Sequence, residues 1–494
     1  MKLGHITSAV VGALALGAVA LLAPRHASQA ANPPAPASAV ADAPVISAVL
    51  EAPRFKQIHG QPGFWRIGQT PDGVWWFVDN HDQTEFLNGV TTVQPQLLSF
   101  DPAKPAYESA DWDGRPDSES LLHWADLTAS RIHAIGFKSL GAWCNPALHD
   151  GRLPMTQDLN VWRWVPYTAR LFSPDWRRAA DYAIKSQAEP LKNNRNLIGY
   201  YTDNELSWDD NAVGARVYFD DLPVDDPNRR EVLNIIEKTW PNVKSFNDDW
   251  NTKLTKWDEL RGLAQLPMAS NAAYDKLETR WLEHIARAYF EMTSTLVRKY
   301  DPNHLILGCR YRGWMPAEVA RASRNLTDAQ SLNYYASDSL LDSNTFRTLN
   351  EESGQPVVIS EYSFHSLDGR SGNANHSRFP GEVRDQEARA AGYRLMTQRL
   401  ARVTYVVGAD WFQWMDEPPA GRRGDAEDCN LGVVDIHDRC YEQLVTAVQE
   451  TAPLLNPLHA GSATAGDQMV WRTPPQGSHH ATAFAGGQEM LNPK

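Results

Sequence analysis

From residue 86 to about residue 455, short β-branched or aromatic runs alternate with longer stretches whose apolar positions recur at helical spacing. That alternation is the signature of a parallel sheet whose strands are joined by crossover helices. Eight runs read as strands: 86–93, 137–143, 161–167, 197–203, 305–311, 329–335, 356–362 and 406–414. Helical stretches fall at 118–135, 174–192, 277–300, 316–324, 338–352, 385–402 and 441–455, and Asp301-Pro302-Asn303 is a clear stop signal. The pattern predicts an α/β chain folded as a (β/α)8 TIM barrel over 86–459. The alternative is an open doubly wound sheet, but no Gly-rich phosphate loop follows any strand.

Other segments depart from this rhythm. Residues 1–30 have a short basic start at Lys2 and His5, an apolar stretch from Ala9 to Ala23, and small residues at Ser28-Gln29-Ala30. They read as a secretory signal, so export to periplasm or medium is expected. Residues 31–53, rich in Ala, Pro and Ser, read as a flexible linker. In 54–85, two aromatic runs flank Pro71-Asp72-Gly73 and predict an N-terminal β-hairpin. A helical insertion, 206–276, follows the fourth strand and carries Trp208, Trp240, Trp250 and Trp257 among acidic residues. Placed there it rises on the face where barrel active sites are built. Its indoles either wall the cleft, Trp208 first, or pack internally or form a subunit interface. The tail, 460–494, is assigned no fold.

Composition narrows the partners. The net charge is −13 and no run of five basic residues occurs, which argues against a nucleic-acid partner. The chain has 18 Trp, whose flat faces suit sugar rings, although large indoles also fill large cores. None of the four cysteines forms a CxxC motif or a paired Cys/His spacing, so zinc has little support; no metal and no other cofactor is expected. Cys429 and Cys440 are near enough in sequence to close a small loop, whereas Cys144 and Cys309 fall on strands as buried thiols.

Two carboxyl groups stand where barrel chemistry requires them. The fourth strand ends on Asn204-Glu205 and the seventh on Glu361, each where an apolar run opens into a loop. A pair of carboxyls flanking one bond is what glycoside hydrolysis needs. The plainer alternative is that each Glu is only the first polar residue after a strand.

Asn-Glu after strand four with Glu after strand seven resembles the arrangement of clan A glycoside hydrolases. Gly199-Tyr200-Tyr201-Thr202-Asp203-Asn204-Glu205-Leu206-Ser207-Trp208 is similar to the acid/base motif of family 50 β-agarases and to that of family 42 β-galactosidases. Phe246-Asn247-Asp248-Asp249-Trp250-Asn251 followed by Trp257 resembles a helical stretch of both families. The block Val407-Gly408-Ala409-Asp410-Trp411-Phe412-Gln413-Trp414-Met415-Asp416, with Gly421-Arg422 and Asn430-Leu431-Gly432-Val433-Val434-Asp435, is more like the agarases.

The resemblance implies a retaining β-glycoside hydrolase acting on a galactose-containing poly- or oligosaccharide, with Glu205 as acid/base and Glu361 as nucleophile. Asn204 would bind the sugar 2-hydroxyl and Tyr335 would donate to the nucleophile. Asn333 and Tyr335 share one strand face by alternation, with Tyr334 on the other. Of Trp411 and Trp414, one would stack under the sugar and one would pack against a helix; Gln413 shares the Trp411 face. Trp143, Asn145, His365 and Arg370 sit on loops of the same face, and Asp203 reads as a structural hydrogen-bonding residue. The other functions weighed are a β-galactosidase or transglycosylase of this clan, or a catalytically silent carbohydrate-binding barrel. An additional domain that often precedes the agarase barrel has no counterpart here, which leaves room for short oligosaccharides as substrates.

Overall fold

A computed structural model describes residues 55–116, 118–149, 153–464 and 471–472. The expected signal and linker, 1–53, lie outside the described residues, as does most of the tail.

Nine parallel strands form one curled, barrel-like sheet. Their order is Leu305–Ile306, Leu197–Tyr201, Met155–Asp158, Ser139–Leu140, Leu87–Val90, Val406–Trp411, Val357–Tyr362, Gln330–Asn333 and Tyr311–Arg312. The two end strands are successive in the chain and lie within one apolar run. Between them Leu307 N–H still donates to the Tyr200 carbonyl, and Thr202 N–H donates to that of Gly308.

Helices cover the outside, and local chemistry fixes their ends. Glu119–Ile135, Pro174–Ala188 and Gln386–Ala401 each start behind a side-chain cap, Ser118, Ser173 and Asp385 respectively. The longest, Asn271–Tyr300, starts at the Ser270 cap, several residues before the apolar periodicity becomes clear.

The predicted hairpin is the centre of a larger unit. Arg66–Gln69 and Trp75–Val78 pair as expected, and Gln57–His59 and Thr84–Glu85 extend them to a four-stranded antiparallel sheet. Its buried Trp65, Ile67, Trp75 and Phe77 pack on Leu87, Ile198, Leu305, Ala329, Val358 and Val407 at the strand beginnings. The aromatic sheet therefore covers the N-terminal end of the curled sheet and leaves the C-terminal end for chemistry.

Four expectations are corrected. The third strand is Met155–Asp158, while Val161–Trp164, read as strand, is one helical turn. Asn160 reverses the chain with φ 47°, and the N–H groups of Val161 and Trp162 are taken by the Thr202 carbonyl and by Asp203 Oδ1. The eighth strand stops at Trp411, not at residue 414. Within the tail, Trp471–Arg472 pairs with Leu341–Asp342. All four cysteines are free: the Cys429 thiol donates to Asn375, whereas Cys440 accepts from Arg131.

The insertion holds four helices, Asp210–Val213, Pro227–Thr239, Val243–Trp250 and Trp257–Arg261, before Asn271–Tyr300. Its aromatics pack among themselves, with Phe246 stacked on Trp250 at 5.0 Å and edge-on to Trp240 at 5.5 Å. No helix among the described residues is long and apolar enough to cross a membrane.

Candidate active site

Strand ends bring the two predicted carboxyls to one place. Glu205 follows Leu197–Tyr201 with a left-handed φ of 51°, a costly conformation for a residue with a Cβ. Its N–H donates to the Arg310 carbonyl at 2.9 Å, which holds the turn. Glu205 Oε1 accepts from Asn333 Nδ2 at 3.0 Å, and Arg312 Nε lies 3.7 Å from Oε2. Burial pushes the Glu205 carboxyl above its usual range and the neighbouring Glu361 pushes it further, while Asn333 and Arg312 pull it back. A carboxyl placed so keeps its proton more readily than a free one.

Glu361 lies in the strand Val357–Tyr362 and is nearly fully buried among donors. Tyr335 OH donates to its Oε2 at 2.7 Å, and Arg310 Nη2 donates to its Oε1. Arg310, itself fully buried, also donates to Asp158 Oδ2 at 3.1 Å and to the Ser360 carbonyl at 3.3 Å. Burial opposes the Arg310 charge, but the Glu361 and Asp158 carboxylates outweigh it and hold the guanidinium protonated. The two glutamates thus differ in their donors: Glu205 has an amide and a guanidinium at 3.7 Å, Glu361 a guanidinium and a phenol in direct contact.

Asn333 connects them. Its amide nitrogen also reaches Asn204 Oδ1 at 3.1 Å, and its oxygen accepts from Ser360 Oγ at 2.8 Å beside Glu361. Tyr334 points away, as alternation requires, and packs edge-on to Phe346 at 5.2 Å. Trp143 joins the site through its ring, 5.3 Å from the Arg310 guanidinium and 5.4 Å from that of Arg163.

Other expected residues stand elsewhere. Trp411 is fully buried among Tyr362, Phe364 and Tyr393, with its Nε1 donating to the Leu431 carbonyl at 3.0 Å. Trp414 is fully buried too, with Arg131 over its ring, so neither indole presents a face to a sugar. Gln413 is wholly buried and its backbone pairs with Leu431 and Val433. Asn145 caps the turn Pro146–Leu148 and donates to Gln94. His365 is buried, 3.0 Å from the Phe379 carbonyl, and burial lowers its imidazole. Arg370 pairs with Asp435. Trp208 stacks on Phe290 at 6.1 Å and stands edge-on to Tyr289 at 5.6 Å, so it packs on the long helix. Asp203 accepts from Trp162 N–H and Tyr289 OH, the structural role expected of it.

Arg310, Asp158, Ser360, Phe379 and Phe412 were not anticipated. Phe379 stands edge-on to Tyr335 at 4.9 Å and lies parallel to Phe412 at 6.2 Å. An arginine within the apolar run 305–311 was a usable signal for the first of them. Among the described residues no cluster of His, Cys, Asp or Glu could hold a metal.

This chain is 26% identical over 397 residues to Beta-agarase B of Vibrio sp. (strain JT0107), covering 75% of this chain and 40% of that protein. It is 27% identical over 361 residues to Beta-agarase A of the same strain, covering 66% of this chain and 35% of that one. The chain is thus similar in sequence to these two β-agarases. It spans about two fifths of the length of the curated relatives it matches. No family model matches the sequence. The agarase AgWH50C shares the fold at TM-score 0.68 and 23% identity, over 81% of this chain and 66% of its own. A β-galactosidase from the psychrophilic Marinomonas ef1 is a more distant neighbour, at TM-score 0.51 and 13% identity over 76% of this chain and 60% of its own.

Proposed function

We propose that this agarase homologue is a retaining β-glycoside hydrolase acting on galactose-containing poly- or oligosaccharides. The observation that carries the reading is the unequal environment of two adjacent carboxyls, Glu205 and Glu361, on strand ends of the same sheet. In this reading the nine strands are a closed (β/α)8 barrel whose fifth strand is interrupted between Ile306 and Tyr311.

The chemistry follows from the donors. Glu361, oriented by Arg310 and Tyr335, attacks the anomeric carbon while Glu205 gives its proton to the departing glycosidic oxygen. The C–O bond to the leaving sugar breaks, and an ester to Glu361 forms. Glu205, now a carboxylate, then takes a proton from water, whose oxygen displaces Glu361 and restores the original configuration. In this reading Asn204, whose Oδ1 accepts from Asn333, binds the 2-hydroxyl of the sugar being transferred. No metal or organic cofactor has a part in this scheme.

The test is a screen of β-linked galactans, agarose oligosaccharides and glucans, with products sized and the first anomer identified by NMR. The reading expects β-anomers from galactose-containing substrates. Initial α-anomers, or cleavage of glucans alone, would overturn it.

A further inference from the structure

We propose that the turn Arg312-Gly313-Trp314 is the leaving-group side of the cleft, with the Trp314 indole as stacking face for the sugar released there. The inference rests on the functional reading above and extends it to a substrate-binding position.

The two oxygens of Glu205 are not equivalent. Oε1 is occupied by the Asn333 amide at 3.0 Å, while Oε2 faces Arg312 at 3.7 Å, beyond an ordinary hydrogen bond. Oε2 is therefore the oxygen free to carry the proton that the leaving group receives. A leaving sugar bonded through that glycosidic oxygen lies beside Arg312 and the turn that Arg312 opens.

This turn is locked by its own backbone. Tyr311–Arg312 pairs with Gln330–Asn333, with Arg312 opposite Asn333. Gly313 then turns with φ 70°, its N–H donating to the Asn333 carbonyl at 2.9 Å, and Trp314 N–H donates to the Arg312 carbonyl at 2.8 Å. Asn333 thus fixes the acid/base carboxyl with its side chain and the turn with its backbone, so Glu205 and Trp314 are held in one register.

Both long side chains of the turn are displayed to solvent. The Arg312 side chain is 61% exposed and Trp314 is 52% exposed. Two other exposed indoles have aromatic neighbours, Trp162 beside Trp176 and Trp164 beside Tyr182. Among the described residues no aromatic ring packs on Trp314. A half-exposed indole on a locked turn loses little conformational freedom when a pyranose C–H face covers it. Arg312 supplies donors for that sugar's hydroxyls.

The test compares wild type with Trp314→Ala on β-galactosyl fluoride, whose leaving group has no ring, and on agarose oligosaccharides of increasing length. Trp314→Ala should keep kcat/KM on the fluoride within about twofold and lose about tenfold on the oligosaccharides. The oligosaccharide loss should fall mainly on KM, and Trp314→Phe should recover most of it. Equal losses on both substrates, or none on the oligosaccharides, would overturn the inference and leave the functional reading standing. Wild-type inactivity on both would overturn the functional reading and the inference with it. Matching thermal melts establish that the variants fold.

Discussion

The carbonyl oxygen of Arg310 accepts the Glu205 N–H at 2.9 Å while the guanidinium of the same residue donates to Glu361. One side chain and its own backbone therefore set the spacing of both carboxyls. Arg310→Met should leave Glu361 buried without its cation and lower kcat by about 100-fold or more. Arg310→Lys, a point charge without the fork, should recover only part of that loss. Kinetics on the two variants, beside their melting curves, check this; a kcat within about threefold of wild type in Arg310→Met would show that the cation does not serve the nucleophile.

The role of Glu205 separates from that of Glu361 by leaving group. Glu205→Ala should retain turnover of aryl glycosides with good leaving groups and regain activity with added azide, which needs no general base. Because burial and Glu361 raise the Glu205 carboxyl, the alkaline limb of the wild-type kcat/KM profile should lie above the ordinary carboxylate range. That limb should vanish for activated substrates in Glu205→Ala. Equal losses for good and poor leaving groups, with no azide rescue, would contradict the assignment.

Inside the sheet, Asp410 is buried where Gly89 has no side chain; a methyl group there would run into the carboxylate. Burial raises Asp410 from 3.8 to about 7, with Arg310 pulling it down and Glu361 pushing it up. The unfolded chain ionises near 3.8 and the folded one near 7, so stability is lost as pH rises between those values and levels off above. A shift of about three units corresponds to at most about 4 kcal/mol. Asp410→Asn should remove this dependence, gaining stability over wild type steadily from about pH 4 to about pH 7. Urea unfolding at several pH values measures it; a constant difference across the range would refute it.

Trp208 stands against the long helix, so its loss is one of packing. Trp208→Ala should cost roughly 2–3 kcal/mol of stability. Its effect on kcat/KM should be the same at every oligosaccharide length. A penalty growing with chain length would place the indole in the cleft instead.

Much of the architecture was legible because its signals are local. Serine and aspartate caps fix helix starts at Ser118, Ser173 and Asp385, and the runs ending at Glu205 and Glu361 are apolar enough to be read as strands. The third strand was not, because Met155–Asp158 is short and carries Asp158, needed by Arg310, while neighbouring Val161–Trp164 has the richer strand composition. Functional residues break the hydrophobic pattern at the point where it is being read. The expectation that Trp411 or Trp414 meets the sugar failed for a related reason: the strand ends at Trp411, the period no longer holds, and Phe412 comes to stand near Tyr335. Arg310 stands out as a charge in an apolar run, but its role is set by partners 51 and 152 residues away, which no local pattern names.

Every step of the proposed hydrolysis depends on a covalent bond between Glu361 and the sugar. Incubation with a 2-deoxy-2-fluoro-β-galactosyl fluoride, which slows release of the intermediate more than its formation, followed by peptide mass spectrometry, tests it most directly. The account predicts one fluorosugar per chain on the peptide containing Glu361, and none in Glu361→Gln. Label on a different carboxylate, or substrate turnover with inversion and no label, would contradict it.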